Sequence, residues 1–448
     1  MKRGDSGRPA MDRVWSSQGK RWNFKLSVYD IMLSNVALGM VTPFLPVYAI
    51  ALGSSNAAVG LVTAIPALVN TIMYLPAASY VERQESRLKT TIKWSTLVRV
   101  FYLAMGAVAF LPWPGLRTPL LLTVIGLQAI PTVISNVAFT SMLGDMFPGR
   151  ERARLFALRS MYGAAVTLVS SLAAGILLDK MKYPVNYSVL FVITFVAGVG
   201  ALMVCTKMVE APAKGRTHGR VSFWQRVRAP FVDKDYGRQF TAFTVSAALF
   251  HVGINISTPT FPIYYVRSLG LSNSVIGSLT VASGLTTALA YPLWGRVSRR
   301  SGEGAVYLAS IVGLALYPLV CGLYGAPAYL IGVQLATGVF SAALNLSLLN
   351  LMLQAVRPSD SANGIAVFYM LINATGVIGP PLAAEFISRY GVFSALVLST
   401  IMRIAGCAAY LAAVGPGETV RQLRSVGKAL NVTARRRRAP AKAAREVL

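Results

Sequence analysis

TPFLPVYAIALGSSNAAVGLVTAIPALVNTIMYLPAASYVER, residues 42–83, is answered later in the chain by TPTFPIYYVRSLGLSNSVIGSLTVASGLTTALAYPLWGRVSRR, residues 258–300. Gly53 pairs with Gly270, Gly60 with Gly277, Thr63 with Thr280, Tyr74 with Tyr291 and Arg83 with Arg300, each 217 residues apart. An internal repeat of this length describes a whole fold rather than a local motif. Each copy is an apolar segment, a short Gly/Ser/Asn turn, a second apolar segment and a basic turn. That pattern predicts a pair of helices that crosses a membrane and returns.

Composition extends the reading to the full 448 residues. Hydrophobic residues make up 54% and charged residues 13%, about half the charge of a typical soluble domain. The apolar residues fall in long runs, as bilayer-spanning helices require. Twelve spans are expected, at 25–50, 56–80, 91–111, 118–142, 153–178, 185–206, 239–266, 273–295, 304–324, 327–353, 362–388 and 392–414. Of the 43 Lys and Arg, 36 lie in the terminal tails or in and beside the turns after spans 2, 4, 6, 8 and 10. The positive-inside rule then predicts that both termini are cytoplasmic, in a multi-pass protein of the plasma membrane. The formal net charge of +27 is read as topology, because the basic residues sit between apolar spans; no nucleic-acid partner is expected. Residues 1–24 are polar and basic, with no signal-peptide core. Cys205, Cys321 and Cys407 each stand alone in an apolar run and read as packing residues, so neither a metal site nor a cofactor is expected.

The predicted domains are a cytoplasmic N-terminal tail (1–24), a six-helix bundle (25–206), a central cytoplasmic loop (207–238), a second six-helix bundle (239–414) and a basic tail (415–448). Within the loop, Phe223, Trp224, Val227 and Phe231 interleave with Arg220, Arg226 and Arg228, which fits either a helix lying in the membrane interface or a solvated basic linker. The tail ends in Arg435–Arg438; its composition cannot build a core and predicts disorder.

The repeat continues past its opening stretch. Ile125-Gly-Leu-Gln128 answers Ile331-Gly-Val-Gln334, Pro148 answers Pro358, and Ala173-Ala174 answers Ala383-Ala384. Two parallel six-helix halves with a solute site between them near the midplane is an arrangement that transporters use.

These residues resemble the major facilitator superfamily, whose signature after span 2 is Gly, three residues, Asp, Arg, one residue, Gly and a basic run. Here Ala78-Ser-Tyr-Val-Glu82-Arg83-Gln-Glu-Ser-Arg87-Leu-Lys89 keeps the acid–Arg pair and the basic residues but neither glycine. After span 8, Gly295-Arg-Val-Ser-Arg299-Arg300-Ser-Gly302 keeps the glycines and replaces the acid with Arg299. The resemblance covers about residues 25–414. It implies an all-α membrane fold of two pseudo-symmetric six-helix bundles that transports by alternating access, with spans 1, 4, 7 and 10 lining the cavity. It also makes Glu82, Arg83, Arg299 and Arg300 gating elements, with Asp145 as a partner and Arg159 among the gating charges.

Polar residues at helical spacing mark the expected cavity. Thr244, His251, Asn255 and Thr258 share a stripe on span 7, and Gln334, Ser341 and Asn345 one on span 10. Asn70 on span 2, Thr287 on span 8, Gln128 on span 4 and Asn373 on span 11 add to them, while Asn35 on span 1 is the repeat partner of His251. Each could instead hydrogen-bond a neighbouring helix. Proton coupling is assigned to Asp30, His251 and Glu385, because an ionisable group inside a span is a functional hypothesis by default. Asp30, Arg99 and Arg159 lie at similar depth, whereas Arg403, midway along span 12, has no evident charged partner. The proline pairs Pro43/Pro46 and Pro259/Pro262 predict bends at the external ends of spans 1 and 7.

The expected function is secondary active transport of a small organic solute: proton-coupled efflux of amphiphilic compounds by a monomer in the bilayer, with protons as the coupling ion. An importer or facilitator of a neutral sugar or nucleoside-like solute is the alternative, and a non-transporting receptor or scaffold the alternative of another class. The chain contains neither a phosphate-binding loop of the Gly-Lys-Ser/Thr type nor a nucleophile–base set, so an enzyme is not expected.

Overall fold

A computed structural model describes residues 17–429 except 148, 211–222, 234–235, 357–360, 416, 418–419, 423 and 427–428. The expectations placed on residues 1–16, Pro148, Arg220, Pro358 and Arg435–Arg438 lie outside the described residues, as do those on the side chains of Phe223, Trp224 and Arg226.

The chain is almost wholly helical. Span 1 is split into α1 (Ser17–Val41) and α2 (Leu45–Ala51), with the break just before Pro46. Next come α3 (Asn56–Glu82), α4 (Arg87–Val108), α5 (Pro114–Met146), α6 (Gly149–Lys180), α7 (Val185–Cys205) and the short loop helix α8 (Phe223–Val232). Span 7 is α9 (Gly237–Ile263), which widens into a π-helical turn at Tyr264–Ser268, directly after Pro259 and Pro262. Then follow α10 (Asn273–Ser301), α11 (Glu303–Ala315) with α12 (Tyr317–Leu323), α13 (Pro327–Gln354), α14 (Ser361–Tyr390) and α15 (Val392–Val414).

The repeated stretch explains its own glycines. Gly53 and Gly270 both adopt positive φ, at +83° and +62°, a conformation open to glycine without a steric penalty. They end the first helix of each hairpin, and a serine then opens the second. Ser55 accepts from the Ala58 amide at 3.2 Å, and Ser272 from the Val275 amide at 3.4 Å. Such caps supply a partner for one of the free amides at a helix start.

Among the described residues, eleven helical stretches are long and apolar enough to cross a membrane. The remaining expected span is α4, whose most apolar stretch still carries Lys93 and Arg99. Apolar side chains such as Ile72, Val169, Val196, Met203 and Leu289 are more than half exposed, as suits a helix surface that faces lipid. The chain is a multi-pass membrane protein.

It forms two compact units, one of Met1–Gly219 with Phe261–Val281 and the other of Arg220–Thr260 with Ala282–Leu448. In the first, Leu26, Met142, Leu143, Met146, Phe147 and Leu155 pack with Cys205 and Met208. In the second, Phe240, Phe243, Phe250, Tyr307 and Phe368 form an aromatic core, with Phe243 and Phe368 stacked at 5.4 Å. Helix α8 joins that core through Phe231, whose ring meets Phe240 edge-on at 5.0 Å.

One expectation is corrected here. The described residues between 420 and 429 are helical rather than disordered, and Val426 and Ala429 are buried with Trp294, Val297, Ala305 and Val306. Two small apolar residues spaced three apart gave the segment a face to dock, which its overall basic composition concealed.

Candidate functional site

The first unit buries an ion pair. Arg159 of α6 reaches Asp30 of α1 with both terminal nitrogens 3.4 Å from one carboxylate oxygen. The guanidinium also donates to the Ser27 backbone carbonyl and, at 2.5 Å, to the Ser27 hydroxyl, and it lies 4.9 Å from the Phe139 ring. Asp30 is 9% exposed and Arg159 7%; Asp30 is the one acid among the described buried residues. A pair so placed is held by Coulomb attraction in low dielectric, and removing one member strands the other. Arg99 of α4 is only partly buried and lies against α7, where a Cβ on Gly198 would stand 2.7 Å from its Cγ. The three charges expected at one depth are thus resolved into a pair and a third cation wedged against a glycine.

The second unit buries a cation without an acid. Arg403 of α15 is 4% exposed and forms no ion pair among the described residues. It donates to the Leu314 carbonyl and the Ser257 hydroxyl, each at 3.0 Å, between the rings of Phe250 and Tyr317 at 5.8 and 5.6 Å. Leu314 is the residue whose carbonyl Pro318 deprives of its helical partner, since proline has no N–H to give four residues on. Arg403 donates to that carbonyl at the break between α11 and α12, where the Leu316 amide also turns toward it. The sequence signal was present: a proline four residues after Leu314 in a span whose neighbour carries a mid-membrane arginine. Ser257 and Ser399 share a 2.6 Å hydrogen bond beneath it, and Gly253 leaves no room for a side chain against Arg403.

The expected cavity residues divide into those committed to neighbours and those that are not. Asn35 donates to the Ile31 carbonyl, accepts from Thr167 at 2.9 Å and is covered by Gly163. Asn255 donates to Thr375 at 2.9 Å, and Thr287 to the Ser283 and Gly338 carbonyls. Gln128 donates to the Val98 carbonyl at 3.3 Å and Gln334 to the Tyr317 hydroxyl at 3.0 Å. Asn373 returns to the Tyr369 carbonyl. His251 is half-buried, with Nδ1 2.8 Å from the Ala247 carbonyl. Asn70 and Ser341 are half-buried and Asn345 is exposed. Thr244 is 3% exposed and its hydroxyl has no hydrogen-bond partner among the described residues.

The gating charges occupy the basic ends of the helices. Glu82, Arg83, Arg299 and Arg300 are all exposed. Asp145, the expected partner of Glu82–Arg83, pairs with Arg87 instead. The helix start explains the change. Ser86 caps α4 by accepting from the Lys89 amide at 3.0 Å, while Glu210 takes the Arg87 amide at 2.6 Å, and this fixes Arg87 beside α5. In the second unit Glu303 plays a similar part, accepting from Ser298 at 2.6 Å and Asn350 at 2.9 Å. Sequence reasoning missed Glu210 and Glu303, although both stand just outside a span. At the opposite end, Glu385 pairs with Arg389 one turn along α14, with both side chains more than half exposed.

Comparison with known proteins bears on this architecture. The sequence model of the Major Facilitator Superfamily matches residues 31–252 and again 243–445. The chain is 26% identical over 152 residues to the staphyloferrin B transporter of Staphylococcus aureus, a match spanning 33% of this chain and only 36% of that transporter. It is 22% identical over 405 residues to a multi-drug resistance efflux pump PmrA homolog of Lactococcus lactis, spanning 87% of this chain and 94% of the pump. The crystal structure of a mutant form of the nucleoside transporter NupG superposes with a TM-score of 0.71 over 88% of this chain and 100% of that one, at 13% identity. A double match to one family's sequence model, on an all-helical fold whose two halves repeat, identifies the chain as a member of the major facilitator superfamily, a transporter and not an enzyme.

Proposed function

We propose that the protein is a proton-coupled exporter of small amphiphilic organic solutes, acting as a monomer in the plasma membrane by alternating access, with its termini and basic turns in the cytoplasm. The observation that carries coupling is the buried Asp30–Arg159 pair. Protonation of Asp30 removes the negative charge that faces Arg159 and leaves the guanidinium with only neutral partners, Ser27 and the Phe139 ring among them, so proton occupancy alters the packing of α1 on α6. Export is supported by similarity along nearly the whole length of a multi-drug efflux pump. The cytoplasmic placement rests on the distribution of Lys and Arg. His251 and the amide-bearing residues Asn255, Gln334, Asn345 and Asn373 are the proposed solute contacts, with Glu82, Arg83, Asp145, Arg299 and Arg300 at the cytoplasmic gate.

A second reading, a facilitator of a neutral solute, is favoured by the amide-rich stripes of α9 and α13, which carry no acid. Reconstitution separates the two. In proteoliposomes with an imposed pH gradient and a solute panel, the wild type accumulates solute against its gradient, while Asp30→Asn loses gradient-driven flux by about tenfold or more and retains downhill exchange. Proton-driven flux that survives both Asp30→Asn and His251→Ala would exclude these coupling sites. Flux indifferent to the gradient in the wild type would favour the facilitator.

A further inference from the structure

The end of the first unit remote from its basic turns is held together by a clasp that the sequence repeat does not reproduce. Asp179, at the last turn of α6, accepts three hydrogen bonds at the start of α10: the Asn273 amide and side-chain nitrogen at 2.9 Å each, and the Ser274 amide at 2.7 Å. One turn earlier on α6, Gly175 faces the Asn273 backbone, where an added Cβ would lie 3.0 Å from the Ser274 Cα. In return Gly277 of α10 faces α6, where a Cβ would lie 2.8 Å from the Ser171 carbonyl oxygen. The two backbones therefore touch through two glycines, and a carboxylate closes the contact over the free amides and positive dipole end of α10. Six residues before Asn273 in the chain, Arg267 donates to the Ser54 carbonyl and the Asn56 side chain.

The repeat shows that this clasp is an addition. Shifted by the 210 residues that relate Ala173 to Ala383, Gly175 corresponds to Glu385 and Asp179 to Arg389. Those positions form their own ion pair; a glutamate would bar the close backbone approach, and an arginine cannot accept from amides.

We infer that Asp179 is a positioning residue for transport, a latch that holds the start of α10 against α6 and keeps the external end closed until the cycle opens it. The inference rests on the proposed transport function and topology. The latch joins α10 at its amide-bearing end, so its release frees the first two turns of that helix from α6 while the rest, from Ala282 on, belongs to the other unit.

Ser171 supplies the probe. It is fully buried under Gly277 and its hydroxyl has no hydrogen-bond partner among the described residues, so Ser171→Cys places a thiol inside the contact. The native Cys205, Cys321 and Cys407 are all buried, and the parent protein sets the background. The full chain is reconstituted and exposed to a membrane-impermeant maleimide from the external side. In the Ser171→Cys background, Asp179→Ala is expected to raise the alkylation rate about tenfold. Asp179→Asn, which keeps one acceptor oxygen, is expected to fall between it and the parent, and Gly175→Val to match Asp179→Ala. Unchanged alkylation in Asp179→Asn and Gly175→Val would overturn the latch. So would a lower melting temperature without faster alkylation, because that marks a residue serving stability alone. The readout needs no solute, so its failure is distinguishable from failure of the transport assay.

Discussion

Each unit buries an arginine at membrane depth, and the two solve the problem differently. Arg159 faces Asp30 across 3.4 Å; Arg403 faces a backbone carbonyl, a hydroxyl and two aromatic rings, with no acid among the described residues. An ion pair exists in two protonation states with different attractions, so it can report a proton. A guanidinium held by neutral dipoles has one state over the physiological range, since arginine does not deprotonate there. The first arrangement suits a moving part and the second a staple across a break made by Pro318. The repeat thus supplies two similar scaffolds, and the buried charges make them unequal.

The comparison breaks most severely at Asp30. Asp30→Leu leaves the Arg159 charge buried without its counter-charge, and stranding one member of such a pair costs about 3–5 kcal/mol. The double variant Asp30→Leu/Arg159→Met removes both charges and is expected to recover most of that loss, because replacing a buried pair by apolar groups is often close to neutral. Thermal unfolding of the purified protein in detergent checks this order. A double variant no more stable than Asp30→Leu alone would show that Arg159 matters through Ser27 and Phe139 rather than through the pair.

The glycines sharpen the same contrast. Gly253→Ala puts a methyl 2.7 Å from the Ser399 carbonyl and 3.0 Å from the Arg403 backbone nitrogen, whereas the three atoms nearest a Gly198→Ala methyl all belong to the side chain of Arg99, at 2.7, 2.8 and 3.2 Å. Backbone cannot yield without moving α15; a flexible arginine can. Overpacking typically costs about 1–3 kcal/mol, and Gly253→Ala is expected to fall in that range while Gly198→Ala loses less than about 1 kcal/mol. Equal losses in the same unfolding assay would mean that Arg99 is as rigidly held as Arg403.

Much of this was legible in the sequence, and the boundary between what was and was not has a physical cause. The helical spans and the repeat follow from apolar run length and from matched positions, which are properties of single segments. Gly53 and Gly270 could be matched by position alone, and their positive φ explains the match. Which arginine meets which acid is a property of two helices in register. Arg87 and Arg83 are both basic residues after one span, and only the cap at Ser86 selects Arg87 for Asp145. Asp179 passed as an ordinary residue near a helix end because its partners are backbone amides 94 and 95 residues away, and amides leave no signature in a sequence. Arg403 has no acid within its own span to mark its place in the sequence; its acceptors are the Leu314 carbonyl, four residues before Pro318, and a serine hydroxyl.

The smallest expected effect concerns Glu385, assigned to proton coupling on its position within a span. Its side chain is 55% exposed and its partner Arg389, 68% exposed, lies one turn along the same helix. Water and salt screen such a pair, and exposed i,i+4 pairs contribute about 0.3–0.5 kcal/mol. Glu385→Gln is therefore expected to leave the melting temperature almost unchanged. On transport the outcome discriminates: with Asp30 as the coupling acid, Glu385→Gln keeps gradient-driven flux within about twofold of the wild type, a factor worth less than about 0.5 kcal/mol. A tenfold loss in the same proteoliposome assay would move the proton site from the buried pair of the first unit to the exposed end of α14, and Asp30–Arg159 would then stand with Arg403 as a staple.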